Sequence, residues 1–182
     1  MILAWGDSLC AAYGLVPAEG WVALLQTRLK AQGYDYTVVN GCVSGETTAG
    51  GLSRLPDALR QHQPAIVLLE LGSNDGLRGT PLKVMQGNLG QMIALSRKAG
   101  AKVVLLGMYM PPNYGPQYTQ GFSDVYTDLA RQYSLPLLPF LLKDVAENRD
   151  LLQADGMHPI AAAEPRVLDN VWPKLMPLLK KP

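Results

Sequence analysis

The sequence predicts an α/β fold, an open parallel sheet with helices packed on both faces. Three observations carry this. Short runs rich in Val, Ile and Leu alternate with longer segments of helical apolar spacing along the chain. One short run, residues 65–71, is apolar almost throughout, the pattern of a strand buried on both sides. Polar, glycine-containing loops follow the first three strand segments, where an open α/β sheet forms its ligand crevice.

The elements follow in order. Residues 2–5 read as a first strand that stops at Gly6. Trp21, Leu24, Leu25 and Leu29 recur at helical spacing, and Gly33 ends that helix. Residues 36–39 form a second strand, followed by a loop rich in Gly and Ser. A helix is expected over 47–62, weakened by Gly50, Gly51 and Pro56. The third strand is 65–71, and a helix over 82–98 follows, capped by Gly100. Residues 102–106 make strand four and 118–133 a helix. Residues 135–140 give a fifth strand interrupted by prolines, and a last helix begins near Pro159. No repeat, low-complexity segment or linker interrupts this rhythm, so residues 1–182 are expected to form a single domain.

Composition narrows the class. A 182-residue chain that is 48% hydrophobic and 17% charged suits a soluble globular enzyme rather than a disordered tail. At a net charge of +1, with no dense run of Lys or Arg, nucleic acid is not an expected partner. Apolar stretches are broken by charge before membrane-spanning length, so integral membrane association is not expected either. No secretory leader is visible. Cys10 and Cys42 define neither a disulfide framework nor a metal site. They read first as two small buried hydrophobes; the sharper alternative is one bridge pinning the first helix to the end of the second strand.

The candidate chemistry lies in words far apart in the chain. Gly6-Asp7-Ser8-Leu9 places a serine where the first strand ends, and Asp155-Gly156-Met157-His158 places a carboxylate three residues before a histidine. A serine hydroxyl is a poor nucleophile until a base takes its proton, and that base needs a carboxylate to fix its tautomer. Ser8 alone is equally an N-cap, and Asp155-Gly156 alone is equally a turn. The other histidine, His62, reads as a solvated residue in the last turn of a helix. Gly72-Ser73-Asn74-Asp75 follows strand three, so the Asn74 amide, with the backbone N–H groups of Ser8 and Gly45, can face a developing oxyanion. No Gly-x-Ser-x-Gly elbow is present, which disfavours the α/β-hydrolases.

Gly-Asp-Ser-Leu at 6–9, Gly45 in Val43-Ser44-Gly45-Glu46-Thr47, Asn74 in Gly-Ser-Asn-Asp and Asp155-x-x-His158 stand in the order of the four blocks of the SGNH (GDSL) hydrolases. The stretches 71–79, 111–115 and 155–159 resemble the small bacterial thioesterase I/lysophospholipase/arylesterase branch. The resemblance covers nearly the whole chain. It implies a three-layer α/β/α fold with a flavodoxin-like five-stranded parallel sheet. It also implies a Ser8–His158–Asp155 triad, an oxyanion hole of Ser8, Gly45 and Asn74, and hydrolysis of acyl esters and thioesters without metal or cofactor. Members of the branch are often exported to the periplasm. Three departures stand out: Ser73 where Gly is common, Glu46 for a frequent Asp, and Cys10 and Cys42 near two oxyanion-hole positions where small or hydroxyl residues are more usual.

The loop after strand four, residues 106–114, is apolar and stiffened by proline. The resemblance implies that Met110, Pro111 and Tyr114 touch an acyl chain, whereas Met108 reads as packing. Gly76-Leu77-Arg78-Gly79 is bracketed by glycines and is expected to move when substrate enters. The reading is a serine esterase/thioesterase acting on small-molecule acyl substrates, as a monomer. An acyltransferase with an alcohol or sugar acceptor is the alternative. A non-catalytic anion-binding domain ranks last, since no dinucleotide or Walker fingerprint supports it.

Overall fold

The computed structural model describes residues 1–181; Pro182, the last residue of the expected domain, lies outside them. In chain order the main elements are β1 (Ile2–Gly6), α1 (Trp21–Ala31), β2 (Val38–Asn40), α2 (Thr48–His62), β3 (Ile66–Glu70), α3 (Ser73–Leu77), α4 (Leu82–Lys98), β4 (Lys102–Leu106), α5 (Pro116–Tyr133), β5 (Leu137–Leu138) and α6 (Glu164–Leu175). All five strands are parallel, in the order β2-β1-β3-β4-β5. Every residue of β1 and β3 is buried, as the continuous apolar runs require. Right-handed crossovers send α1 and α6 to one face, where they pack on each other, and α2, α4 and α5 to the other. The chain leaves β1 toward β2 and returns to β3 on the far side, so a crevice opens beyond the carboxyl ends of β1 and β3.

Several bounds fall where the sequence puts them: α4 and β4 match, and β1 runs one residue longer. The differences have local causes. β2 is a three-residue edge strand that starts two residues late. Pro136 and Pro139 bracket β5 and leave it two residues, because proline offers no N–H to the ladder. The helix α5 starts two residues early on Pro116, whose missing N–H costs nothing at a helix start. Residues 159–163 are not part of the last helix, which begins at Glu164. Pro56 and both glycines stay inside α2; a Cβ on Gly51 would lie 2.4 Å from a Leu71 methyl, so glycine there permits close helix–sheet approach.

Two features could not be fixed from the sequence. Residues 73–77, within the polar, glycine-containing loop expected after strand three, form the one-turn helix α3, held by tertiary contacts. Asp75 is buried and accepts from Thr48 at the start of α2, from its N–H at 2.8 Å and its hydroxyl at 2.6 Å. Cys10 and Cys42 are not two isolated thiols. They are joined in a disulfide with a Cα separation of 5.8 Å, because pairing of β1 with β2 lays the two following segments side by side.

The α1/α6 face carries one buried carboxyl. Glu164 is 2% exposed and its Oε2 accepts from the N–H of Trp21, the first residue of α1, at 2.7 Å. Burial raises its pKa to about 7, against which the Trp21 bond acts. A carboxyl whose folded pKa lies above its unfolded value contributes stability only while protonated, so stability falls as pH rises from the ordinary glutamate range through about 7. The penalty at higher pH is on the order of 2 kcal/mol. Glu164→Gln keeps an oxygen for Trp21 and removes the titration. Its melting temperature is expected to exceed wild type by roughly 5 °C at about pH 8 and to converge with it in acid. Thermal unfolding followed by circular dichroism across pH checks this; parallel curves at all pH values would refute it.

Candidate active site

Ser8 sits on a turn built by its neighbour. Asp7 Oδ1 accepts from Leu9 N–H at 3.0 Å, the Asp7 carbonyl accepts from Ala11 N–H at 3.0 Å, and Asp7 N–H donates to Glu70 Oε2 at the end of β3. The turn leaves the Ser8 hydroxyl at the crevice, 2.8 Å from His158 Nε2. His158 Nδ1 lies 2.6 Å from Asp155 Oδ2. The local fold of 155–158 explains that contact: Asp155 Oδ1 accepts from the N–H groups of Met157 (2.9 Å) and His158 (3.1 Å), a turn closed by Gly156 at φ +73°. Those bonds, Met157 first, lower the Asp155 pKa to about 2, so the carboxylate stays charged beside the imidazole.

Two residues that no local signal marked hold this arrangement. Gln153 donates its side-chain amide to the carbonyls of Tyr13 and Pro159, both at 2.8 Å, and its backbone N–H to the His158 carbonyl at 2.7 Å. It therefore ties the chain after Ser8 to the chain around His158, across 140 residues. Gly14, at φ +74°, makes room: a Cβ there would lie 2.2 Å from Gln153 Oε1. The Tyr13 ring lies 4.5 Å from the imidazole, covering one side of it. His62 ends α2, as expected, and takes no part.

Opposite the imidazole stand Asn74 and Gly45. Asn74 Nδ2 donates to the Glu46 carbonyl at 2.9 Å and, more weakly, to Asp7 Oδ2 at 3.3 Å. Gly45 is exposed at φ +79° with open space where a Cβ would be, so backbone conformation and not crowding calls for glycine. Among the described residues, the N–H groups of Ser8 and Gly45 donate to no protein acceptor. Arg54 clamps this loop: its guanidinium lies 4.2 Å over the Trp5 ring, donates to Glu46 Oε2 at 2.7 Å and reaches the Gly41 carbonyl.

Under the serine lies a pair of buried carboxyls. Burial raises both: Asp7 to about 6, and Glu70, deeper and facing the Asp7 charge, well above the ordinary range. Full burial and the Asp7 charge thus push Glu70 toward its neutral form. A glutamate inside an otherwise apolar strand was the available signal for it, and sequence reasoning passed it over.

A cleft of about 200 Å³ runs from Ser8 and His158 along an apolar wall. Met110 and Pro111 line it, as does Met108, which combines packing with a place in the wall. Tyr109, stacked on Phe140 at 4.6 Å, closes one side. Tyr114 is a correction. It lies outside the cleft lining, because a 3-10 turn at Pro112–Tyr114 carries the chain away, and its hydroxyl instead reaches the Leu77 carbonyl at 3.5 Å. Leu77 lines the cleft, while Gly76 is buried in α3, where a Cβ would strike Met110 Sδ. Among the described residues no cluster of three or more His, Cys, Asp or Glu is arranged to hold a metal, and no helix is long and apolar enough to cross a membrane.

The sequence and the fold have counterparts among known proteins. The chain is 54% identical to esterase TesA of Pseudomonas aeruginosa over 98% of its length and 89% of that protein's. It is 39% identical to thioesterase 1/protease 1/lysophospholipase L1 of Escherichia coli, over 98% and 84%. Its fold superposes on the crystal structure of the psychrotrophic esterase EstA from Pseudoalteromonas sp., inhibited by monoethylphosphonate, with a TM-score of 0.92 and 43% identity, covering 97% of this chain and 96% of the other. The model of the GDSL-like lipase/acylhydrolase family matches residues 4–164, from within β1 to the start of α6 and thus across every element that frames the crevice. With that span and those identities, the chain belongs to the GDSL-like lipase/acylhydrolase, or SGNH hydrolase, family.

Proposed function

We propose that this protein hydrolyses carboxylic esters and thioesters through an acyl-enzyme on Ser8. The observation that carries the reading is the unbroken contact from Ser8 Oγ through both ring nitrogens of His158 to Asp155. The relatives that are an esterase and a thioesterase/lysophospholipase support the substrate class. Aryl and alkyl esters, acyl-CoA and lysophospholipid-like molecules fit an apolar cleft with one polar end.

In this mechanism His158 Nε2 takes the Ser8 proton as the oxygen attacks the carbonyl carbon. Asp155 holds the Nδ1–H tautomer and supports the imidazolium without taking its proton. The tetrahedral oxyanion meets the N–H groups of Ser8 and Gly45 and the Asn74 amide, whose long contact to Asp7 is the one an oxyanion replaces. Burial pushes Glu70 toward its neutral form, which limits the negative charge beneath that site. His158 then protonates the leaving alcohol or thiol, and water activated by the same imidazole releases the acid. Residues 1–182 act as one catalytic domain, and the disulfide fits work in an oxidising compartment such as the periplasm. No observation favours an alcohol or sugar over water as acyl acceptor.

Ser8→Ala is expected to lower kcat about 10⁴- to 10⁶-fold on p-nitrophenyl esters and acyl-CoA alike; turnover equal to wild type would remove the triad. Asn74→Ala is expected to lose roughly 10²- to 10³-fold in kcat with little change in KM. A loss confined to KM would assign Asn74 to substrate binding instead. The ratio kcat/KM should rise with pH, since a general base must be unprotonated to act, with no acid limb from Asp155, whose pKa is about 2. A profile flat from about pH 5 to about pH 9 would exclude His158 as the base.

A further inference from the structure

We propose that the Cys10–Cys42 disulfide is a positioning element of the oxyanion site, holding the Gly45 loop against the Ser8 turn so that turnover depends on its oxidation state. This rests on the roles given above to Ser8 and Gly45. The two amides that would meet the oxyanion come from different loops, one after β1 and one after β2. The bridge joins those loops two residues past Ser8 and three residues before Gly45.

The two loops are anchored unequally. The Ser8 turn grows from the fully buried β1, and Cys10 itself is buried. The other loop grows from a three-residue edge strand, and Val43, Ser44 and Gly45 are all exposed. No atom approaches the Cβ position of Gly45 within 4 Å, so packing does not place it. What places it is a small set of ties, among them the Arg78 guanidinium on the Gly45 carbonyl at 3.3 Å and the Asn74 amide on the Glu46 carbonyl at 2.9 Å. Val43 N–H donates to the Gly6 carbonyl at 3.0 Å. Asn40 spans both cysteines, donating to the Cys10 carbonyl at 2.8 Å and accepting from Cys42 N–H at 3.0 Å. Arg54 holds Glu46 and Gly41. The disulfide is the covalent member of that set and, with the Val43 and Asn40 bonds, joins the two loops directly.

Oxyanion donors act over a narrow range, about 2.7–3.1 Å, and misplacement by about 1 Å can cost on the order of 10²-fold in rate. With the bridge open, the remaining hydrogen bonds keep the loop near its place but not at it. The expected loss is therefore smaller than that of deleting a donor. It falls on kcat, because no residue of 42–46 lines the apolar cleft that would bind the acyl chain. Cys42 is half-buried and is the sulfur a reductant reaches. A dithiol passes two electrons and two protons to the bridge, giving one thiol on each cysteine, and is itself oxidised to its cyclic disulfide.

The test is kinetics on one p-nitrophenyl ester with oxidised wild type, wild type reduced by dithiothreitol, the same sample reoxidised, Cys42→Ala and Ser8→Ala. Thiol titration verifies each state and circular dichroism verifies the fold at the assay temperature. Reduction is expected to lower kcat about tenfold with KM within about twofold. Reoxidation restores wild type, while Cys42→Ala starts low and ignores the dithiol. Unchanged kcat with both thiols titrated would overturn the proposal, as would Cys42→Ala at full kcat or a reduced protein that has unfolded, since the bridge would then hold the fold rather than the site. Should Cys42→Ala fail to fold, reduced wild type decides alone. An active Ser8→Ala protein would overturn the underlying hydrolase reading; an inactive one with redox-insensitive wild type would overturn only the role of the bridge.

Discussion

Burial of β1 beside β3 at the centre of the sheet is the constraint from which the site follows. Both strands are apolar on both faces, so neither can shift register or leave the sheet without exposing a row of aliphatic side chains. Their carboxyl ends are therefore fixed relative to each other, and the Ser8 turn and α3 start from those ends. The polar bond from Asp7 N–H to Glu70 Oε2 continues the pairing one step past the ladder. A parallel sheet has no short connections, and its strand ends carry loops that must return over a helix. The crevice is thus a product of topology, and the side chains only furnish it.

The other two parts of the site lack this support. Gly45 comes from an edge strand, and His158 from a stretch between β5 and α6 with little regular structure. In each case the loop is tied back to the β1 loop by a few specific links: the disulfide, Asn40 and Val43 on one side, Gln153 and the Tyr13 ring on the other. The turn after β1 is the hub, and both peripheral loops are referenced to it. Segments of low local packing gain position from such ties at small cost in buried area.

Legibility followed the range of the signal. The helix α4 and strand β4 could be read from periodicity because local pattern and tertiary role agree there. Ser8, Asp155 and His158 were readable because each sits in a short word with its own turn chemistry. The bridge was readable only as an alternative, since two cysteines 32 residues apart say nothing of whether their strands are neighbours. Nor was α3, five residues whose helical form depends on Asp75 reaching Thr48 and on the Tyr118 hydroxyl reaching the Gly76 carbonyl. Tyr114 was misplaced for a related reason: a loop on the catalytic edge can turn its later residues away, and composition does not show where.

The buried carboxyls then have a reading as a pair rather than as two anomalies. A single charged Asp7 under the serine would oppose the oxyanion that the proposed mechanism forms nearby, yet its oxygens are needed to shape the turn and orient Asn74. Placing Glu70 beside it at full burial leaves at most one negative charge in a volume that holds two carboxyls. The carboxyl oxygens are kept for geometry while desolvation shifts both groups toward their neutral forms. The same logic runs in reverse at Asp155. There, exposure and two backbone N–H donors keep the charge fully developed, on the side of the imidazole where a positive charge must appear. Two acidic environments, one dry and one wet, divide the crevice into a side where negative charge can form and a side where positive charge can.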